Sequence, residues 1–176
     1  MVKIILLVVV CLVAIILIYA ATKPSSFSIT RTIKINAPAE KIIAELIDFK
    51  RWKDWSPWEG KDPAMQRSFS GAQSGVGSVY EWDGNKDVGQ GRMEILEVIP
   101  SQKVLIQLDF FKPFEAHNFA EFTLTQDSNG TLIVWEMRGP QNYMGKVVSV
   151  FMNIDKMVGA DFEAGLAKLK AVSETH

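Results

Sequence analysis

The sequence predicts an α+β domain: a curved antiparallel sheet of about seven strands wrapped around a long C-terminal helix and preceded by one apolar N-terminal helix. Three observations carry this. Short segments of alternating apolar and polar residues follow one another with only turn residues between most of them, the pattern of a meander rather than of βαβ units. The final segment instead steps its apolar residues by three and four. The first two dozen residues hold a long run without charge.

That run, Ile4 to Ala21, reads IILLVVVCLVAIILIYAA, between Lys3 and Lys23. As a helix at ~1.5 Å per residue it covers about 27 Å, close to the ~30 Å hydrocarbon core of a bilayer. A cleaved signal peptide competes, but its apolar region is usually about 7 to 15 residues and ends in a small-x-small site, which YAAT matches weakly. A retained single-pass anchor is the favoured reading. Its orientation stays open, because Lys3 and the amino terminus face Lys23, Arg31 and Lys34 across the run. TKPSS reads as a linker, which divides the chain into an anchor and linker, residues 1–24, and one domain, residues 25–176.

FSITRTIKINAP sets Phe27, Ile29, Arg31, Ile33 and Ile35 on one side and Ser28, Thr30, Thr32 and Lys34 on the other, a first strand stopped at Asn36 and Pro38. PAEKIIAELIDF spaces Ile42, Ile43, Leu46 and Ile47 as a helix with Pro38 near its start. RWKDWSPWEGKDP follows as a second short helix or turn, with Trp52, Trp55 and Trp58 at three-residue intervals. Six strand segments come next: MQRSFSG, GSVYEWDG, GRMEILEVIP, KVLIQLDFF, HNFAEFTLTQD and TLIVWEMRG, bounded by turns at Gly71, Gly84-Asn85, Pro100-Ser101, Lys112-Pro113 and Ser128-Asn129-Gly130. The last helix is expected from about Lys146 to Ser173, with Val147, Phe151, Ile154, Val158, Phe162, Leu166 and Leu169 on its apolar face.

Composition excludes several functions. A net charge of −1 and no block of like charge give no field for gathering nucleic acid. The lone Cys11 rules out an intrachain disulfide and a cysteine metal cluster, and the two histidines are too few for metal-binding spacing. His176 is read as inert at the chain end, and His117 as a surface residue on the charged side of its strand. GVG and GQG fall between strands, where they are turns rather than phosphate cradles. No metal and no cofactor is called for.

Several strings carry a resemblance: INAPAEKIIAELIDFKRWKDWSPWE, SGVGSVYEWDGN, GQGRMEILEVIP, FFKPFEAHNFAEFTL and MVGADFEAGLAKLK. They resemble the START-like or SRPBCC superfamily, in its polyketide cyclase/dehydrase branch of small bacterial proteins, from Phe27 to the C-terminus. The resemblance implies a helix-grip fold enclosing an apolar cavity. It does not imply one activity, since members include cyclases, lipid carriers and hormone binders.

Strand alternation then selects inward-facing residues. Ile133, Trp135 and Met137 oppose Glu136 and Arg138; Ile106, Leu108 and Phe110 oppose Gln107 and Asp109; Asn118, Ala120 and Phe122 oppose His117 and Glu121; Tyr80 and Trp82 oppose Glu81. With Phe151, Met152, Asp155, Val158 and Phe162 of the last helix, these form the candidate ligand-binding set, in which Asn118 and Tyr80 are the polar orienting groups. Plain core packing would demand the same pattern. Trp52 and Trp55 are expected at the cavity's mouth, against the long helix, and Trp58 nearer the surface; interfacial anchoring of the three tryptophans is the rival reading.

The favoured function is a protein anchored in a membrane, the bacterial inner membrane given the family resemblance, that binds a hydrophobic small molecule or lipid without catalysis. One alternative is a cyclase-type enzyme with Asp155 as its desolvated acid or base and Arg92 as oxyanion partner. The other is an interaction module regulating a membrane partner.

Overall fold

A computed structural model describes residues 1–175; the expectation for His176 lies outside the described residues. The elements run α1 (Val2–Ala21), β1 (Ser26–Ile35), α2 (Ala39–Leu46), a 3-10 helix (Phe49–Asp54), β2 (Gln66–Gly71), β3 (Ser78–Asp83), β4 (Gln90–Ile99), β5 (Lys103–Lys112), β6 (Ala116–Asp127), β7 (Gly130–Pro140), α3 (Tyr143–Phe151) and α4 (Ile154–Thr175).

All seven strands form one antiparallel sheet in the order β1-β7-β6-β5-β4-β3-β2. Consecutive strands pair as hairpins from β2 to β7, while β1 closes against the last strand, Ser26 opposite Pro140 and Ile35 opposite Thr131. The link from β1 to β2 therefore crosses from one sheet edge to the other, and α2, the 3-10 helix and the tryptophan segment make that crossing. The ladder between β4 and β5 slips at Gln90/Gly91 and again at Ile95/Glu97. Bulges of this kind bend a strand and raise its twist, which curves the sheet into a trough.

α4 lies in the trough. Phe162, Leu166 and Leu169 on its inner face are at most 1% exposed, packed over Ile29, Ile35, Ile133 and Trp135. Gly159 and Gly165 let the helix approach. A Cβ at Gly159 would collide with the Arg31 guanidinium, and one at Gly165 would lie 2.8 Å from Pro57. Arg31 uses the space at Gly159 to donate from Nε to Glu163 (2.7 Å) and from Nη1 to Asp155 (3.1 Å), which ties β1 to the outer side of α4.

The expected long final helix is two helices. Met152 is extended (φ −123°, ψ 130°), and the Asn153 side chain accepts from the Lys156 amide at 2.9 Å, starting α4 afresh. α3 turns away from the sheet and packs on α1, where the Tyr143 hydroxyl donates to the Leu17 carbonyl at 2.9 Å. α1 is otherwise bare, with only Ala20 buried. It is long and apolar enough to cross a membrane, a test that a signal sequence also passes.

Candidate functional site

Between the concave face of β3 to β7 and α4 lies a cavity of about 350 Å³. A water molecule takes ~30 Å³ of liquid, so the space exceeds a packing defect by about tenfold and falls within the ~300–1,000 Å³ of small-molecule sites. Its walls come from strand positions that alternation points inward: Tyr80 and Trp82 on β3, Met93 on β4, Leu108 and Phe110 on β5, Ala120 on β6, Trp135 and Met137 on β7. The crossing segment supplies Trp52, Trp58 and Met65, and α4 supplies Met157, Val158 and Phe162.

Polar groups are few and mostly engaged. The Tyr80 hydroxyl donates to Glu59 Oε1 at 2.9 Å, while Arg67 donates to Glu59 Oε2 from Nε at 2.8 Å and pairs with it through Nη2 at 2.7 Å. Burial, reinforced by the Glu59 bond, raises the Tyr80 pKa above its ordinary value, so the phenol stays a neutral donor. Lys61 Nζ reaches Asp161 Oδ2 at 2.6 Å, bridging the crossing segment to α4. The buried indole N–H of Trp135 and side-chain oxygen of Asn118 have no hydrogen-bond partner among the described residues.

Of the expected ligand-binding residues, Trp52, Tyr80, Trp82, Leu108, Phe110, Trp135, Met137, Val158 and Phe162 line the cavity together. Ile106 and Phe122 face inward but are fully buried in the core beneath it. Asn118 is buried beside Gly139, outside the cavity walls. The tryptophan roles are exchanged. Trp55, fully buried, packs edge-on against the stacked pair of Phe122 and Trp135 with ring centroids 6.0 and 5.8 Å away, whereas Trp58 lines the cavity against Trp135 and Phe162. With Trp52 at 3% and Trp55 at 0% exposure, two of the three indoles are withdrawn from any headgroup contact, while Trp58 is half-buried.

Phe151 and Met152 are exposed, because the break at Met152 and Asn153 swings them away from the trough. Asp155 is also outside the cavity, its side chain 59% exposed and paired with Arg31. Arg92 projects from the other face of the sheet, paired with Glu94 at 2.7 Å. The two groups cast as acid–base and oxyanion partners thus stand on opposite sides of the sheet. Sequence reasoning missed the mouth, formed by Lys61, Lys86, Asp87, Val88, Gly89, Lys112, Pro113 and Met157. Most of these sit in turns, where no periodicity reports direction; Met157 alone lies in a periodic element, on α4 next to the expected Val158.

Residues 26–174 match the family described as "Polyketide cyclase / dehydrase and lipid transport". The chain belongs to this family. The solved structures agree on the fold. A protein from Chromobacterium violaceum aligns with a TM-score of 0.60 at 15% identity, covering 88% of this chain and 100% of its own. The Aha1 dimer from Colwellia psychrerythraea aligns at 0.58 and 21%, covering 85% and 97%. The di-domain ARO/CYC BexL of the BE-7585A biosynthetic pathway aligns at 0.61 and 14%, covering 90% of this chain and 53% of its own. A comparison with curated proteins finds no match. Within the polyketide cyclase/dehydrase and lipid transport family, this chain shares the helix-grip architecture of a sheet closed over a long helix.

Proposed function

We propose that this protein binds a hydrophobic small molecule or lipid in the cavity, held at a membrane by α1, without transforming its guest. The single observation that carries the reading is the cavity itself, an apolar space of about 350 Å³ walled by residues of the buried core. The family description, which names both cyclisation and lipid transport, is compatible with either outcome. The side chains favour binding. Glu59 is one of the carboxylates lining the cavity, and both its oxygens already accept hydrogen bonds from Tyr80 and Arg67, an arrangement suited to holding Tyr80 in place rather than to moving a proton. Retention of α1 as an anchor rather than its removal as a signal rests on its length, and placement at a bacterial inner membrane on the bacterial origin of such neighbours as the Chromobacterium and Colwellia proteins.

Native mass spectrometry of the detergent-extracted full chain should show an apolar adduct. Filling the space with Ala120→Phe or Leu108→Trp should cut uptake of 1-aminoanthracene by about tenfold or more, as overpacking of ~1–3 kcal/mol implies. Full uptake by both folded variants would remove the cavity as the binding site.

A further inference from the structure

We infer that the mouth of the cavity is pressed against the lipid bilayer that holds α1, so that the cavity opens into the membrane surface rather than into bulk water. The inference rests on the binding and anchoring reading above, and adds a direction to it.

The strand register supplies the direction. Ser26 pairs with Pro140, Phe119 with Arg138, Phe110 with Ala116, Gln90 with Lys112, and Asp83 with Gln90. The start of β1, the end of β7, the β5–β6 hairpin and the β3–β4 turn are therefore all at one end of the sheet. α1 joins the domain at that end through residues 22–25. The exposed residues of the cavity wall, Lys61, Lys86, Asp87, Lys112, Pro113 and Met157, are at the same end, Lys61 through the bond its carbonyl accepts from Asn85 in the β3–β4 turn. Anchor and opening share one pole of the molecule.

That pole is also where large apolar side chains face outward. Phe114 is 76% exposed, Phe151 68%, Met144 63% and Met157 53%. The depth follows from α3. Tyr143, the first residue of α3, bonds the carbonyl of Leu17, four residues before the end of α1, so α3 starts within ~6 Å of the helix terminus at 1.5 Å per residue. A helix beside that last turn is at headgroup level when α1 spans the bilayer. Tyr19, with the Lys23 ammonium 4.8 Å over its ring, is the kind of aromatic and basic pair that marks the same level. A bilayer is the occupant that fits, because the apolar patch runs directly into an apolar helix too long and too bare to be covered by the domain.

The test uses the full chain in phosphatidylcholine/phosphatidylglycerol nanodiscs, with Cys11→Ser and single nitroxide labels at Phe114→Cys, Phe151→Cys and, at the far pole, Asn129→Cys. Oxygen collisions should exceed those of a water-soluble nickel complex at 114 and 151, and fall below them at 129. Labels at 114 and 151 as aqueous as that at 129 would overturn the docking. A second arm compares loading of a fluorescent fatty acid from vesicles and from solution. Phe114→Asp with Phe151→Asp should slow loading from vesicles about tenfold, as loss of two buried phenyl rings implies, and leave loading from solution unchanged. Equal slowing from both sources would count against the docked mouth. A wild-type chain that loads from neither source would refute cavity binding instead, while the labels still decide the docking.

Discussion

Trp135 and Phe162 stack with centroids 3.9 Å apart, and this pair shows how far single residues were legible in the sequence. Both were placed inward correctly, Trp135 because a strand's period of two needs only one charged neighbour to fix its faces, Phe162 because it sits in a long helical repeat. Trp55 and Trp58 are not separable by sequence, since they lie in a loop after a short 3-10 helix, where spacing carries no direction. Asp155 is expected on one helix face with Phe151 and Phe162; α4 starts only at Ile154, so Asp155 lies in its first turn, where it is exposed and bonded to Arg31. His117, on the charged side of its strand by alternation, is a surface residue held to Asp109 through Nδ1 at 2.8 Å. The Asp109 bond, ahead of the other causes, raises the His117 pKa above its ordinary 6.5. The sign follows: this pair's contribution to stability is complete below about 6.5, where the unfolded-state histidine is also protonated, and is lost as pH rises through the elevated folded value. An NMR titration should put the His117 midpoint above 6.5, and Asp109→Asn should bring it down.

At the scale of elements, the strands were read nearly to their ends, because each alternates cleanly and stops at a turn. The final helix was read as one because Val147, Phe151, Ile154 and Val158 keep helical spacing across the junction. The overlooked signal was Asn153, followed by Asp155, a cap and an acidic first turn inside an apolar register. Asn153→Ala should therefore cost ~1 kcal/mol, seen as a fall in Tm of roughly 2–4 °C, without loss of α4. An unchanged Tm would mean that packing of Phe162, Leu166 and Leu169 alone sets where α4 begins.

For the whole molecule, length and hydropathy marked α1 as separate from the domain, but nothing in the sequence announced that α3 would pack against it. Removing residues 1–24 should leave a chain that melts cooperatively and still takes up 1-aminoanthracene, since the cavity walls all lie beyond residue 51. The same chain should associate more than the full-length protein in mild detergent, because α3 has lost its cover; sedimentation velocity would detect this, and a strictly monomeric fragment would contradict it. The cavity could not be read from alternation, because a filled core and a hollow one share the same pattern and differ only in how far α4 stands from the floor of the trough. The closing of β1 against β7 has a further consequence, this one for biosynthesis. The first strand to leave the ribosome waits for its partner until more than a hundred further residues have emerged. Its unpaired edge needs shielding throughout that interval, so cooperative folding is deferred until synthesis is nearly finished.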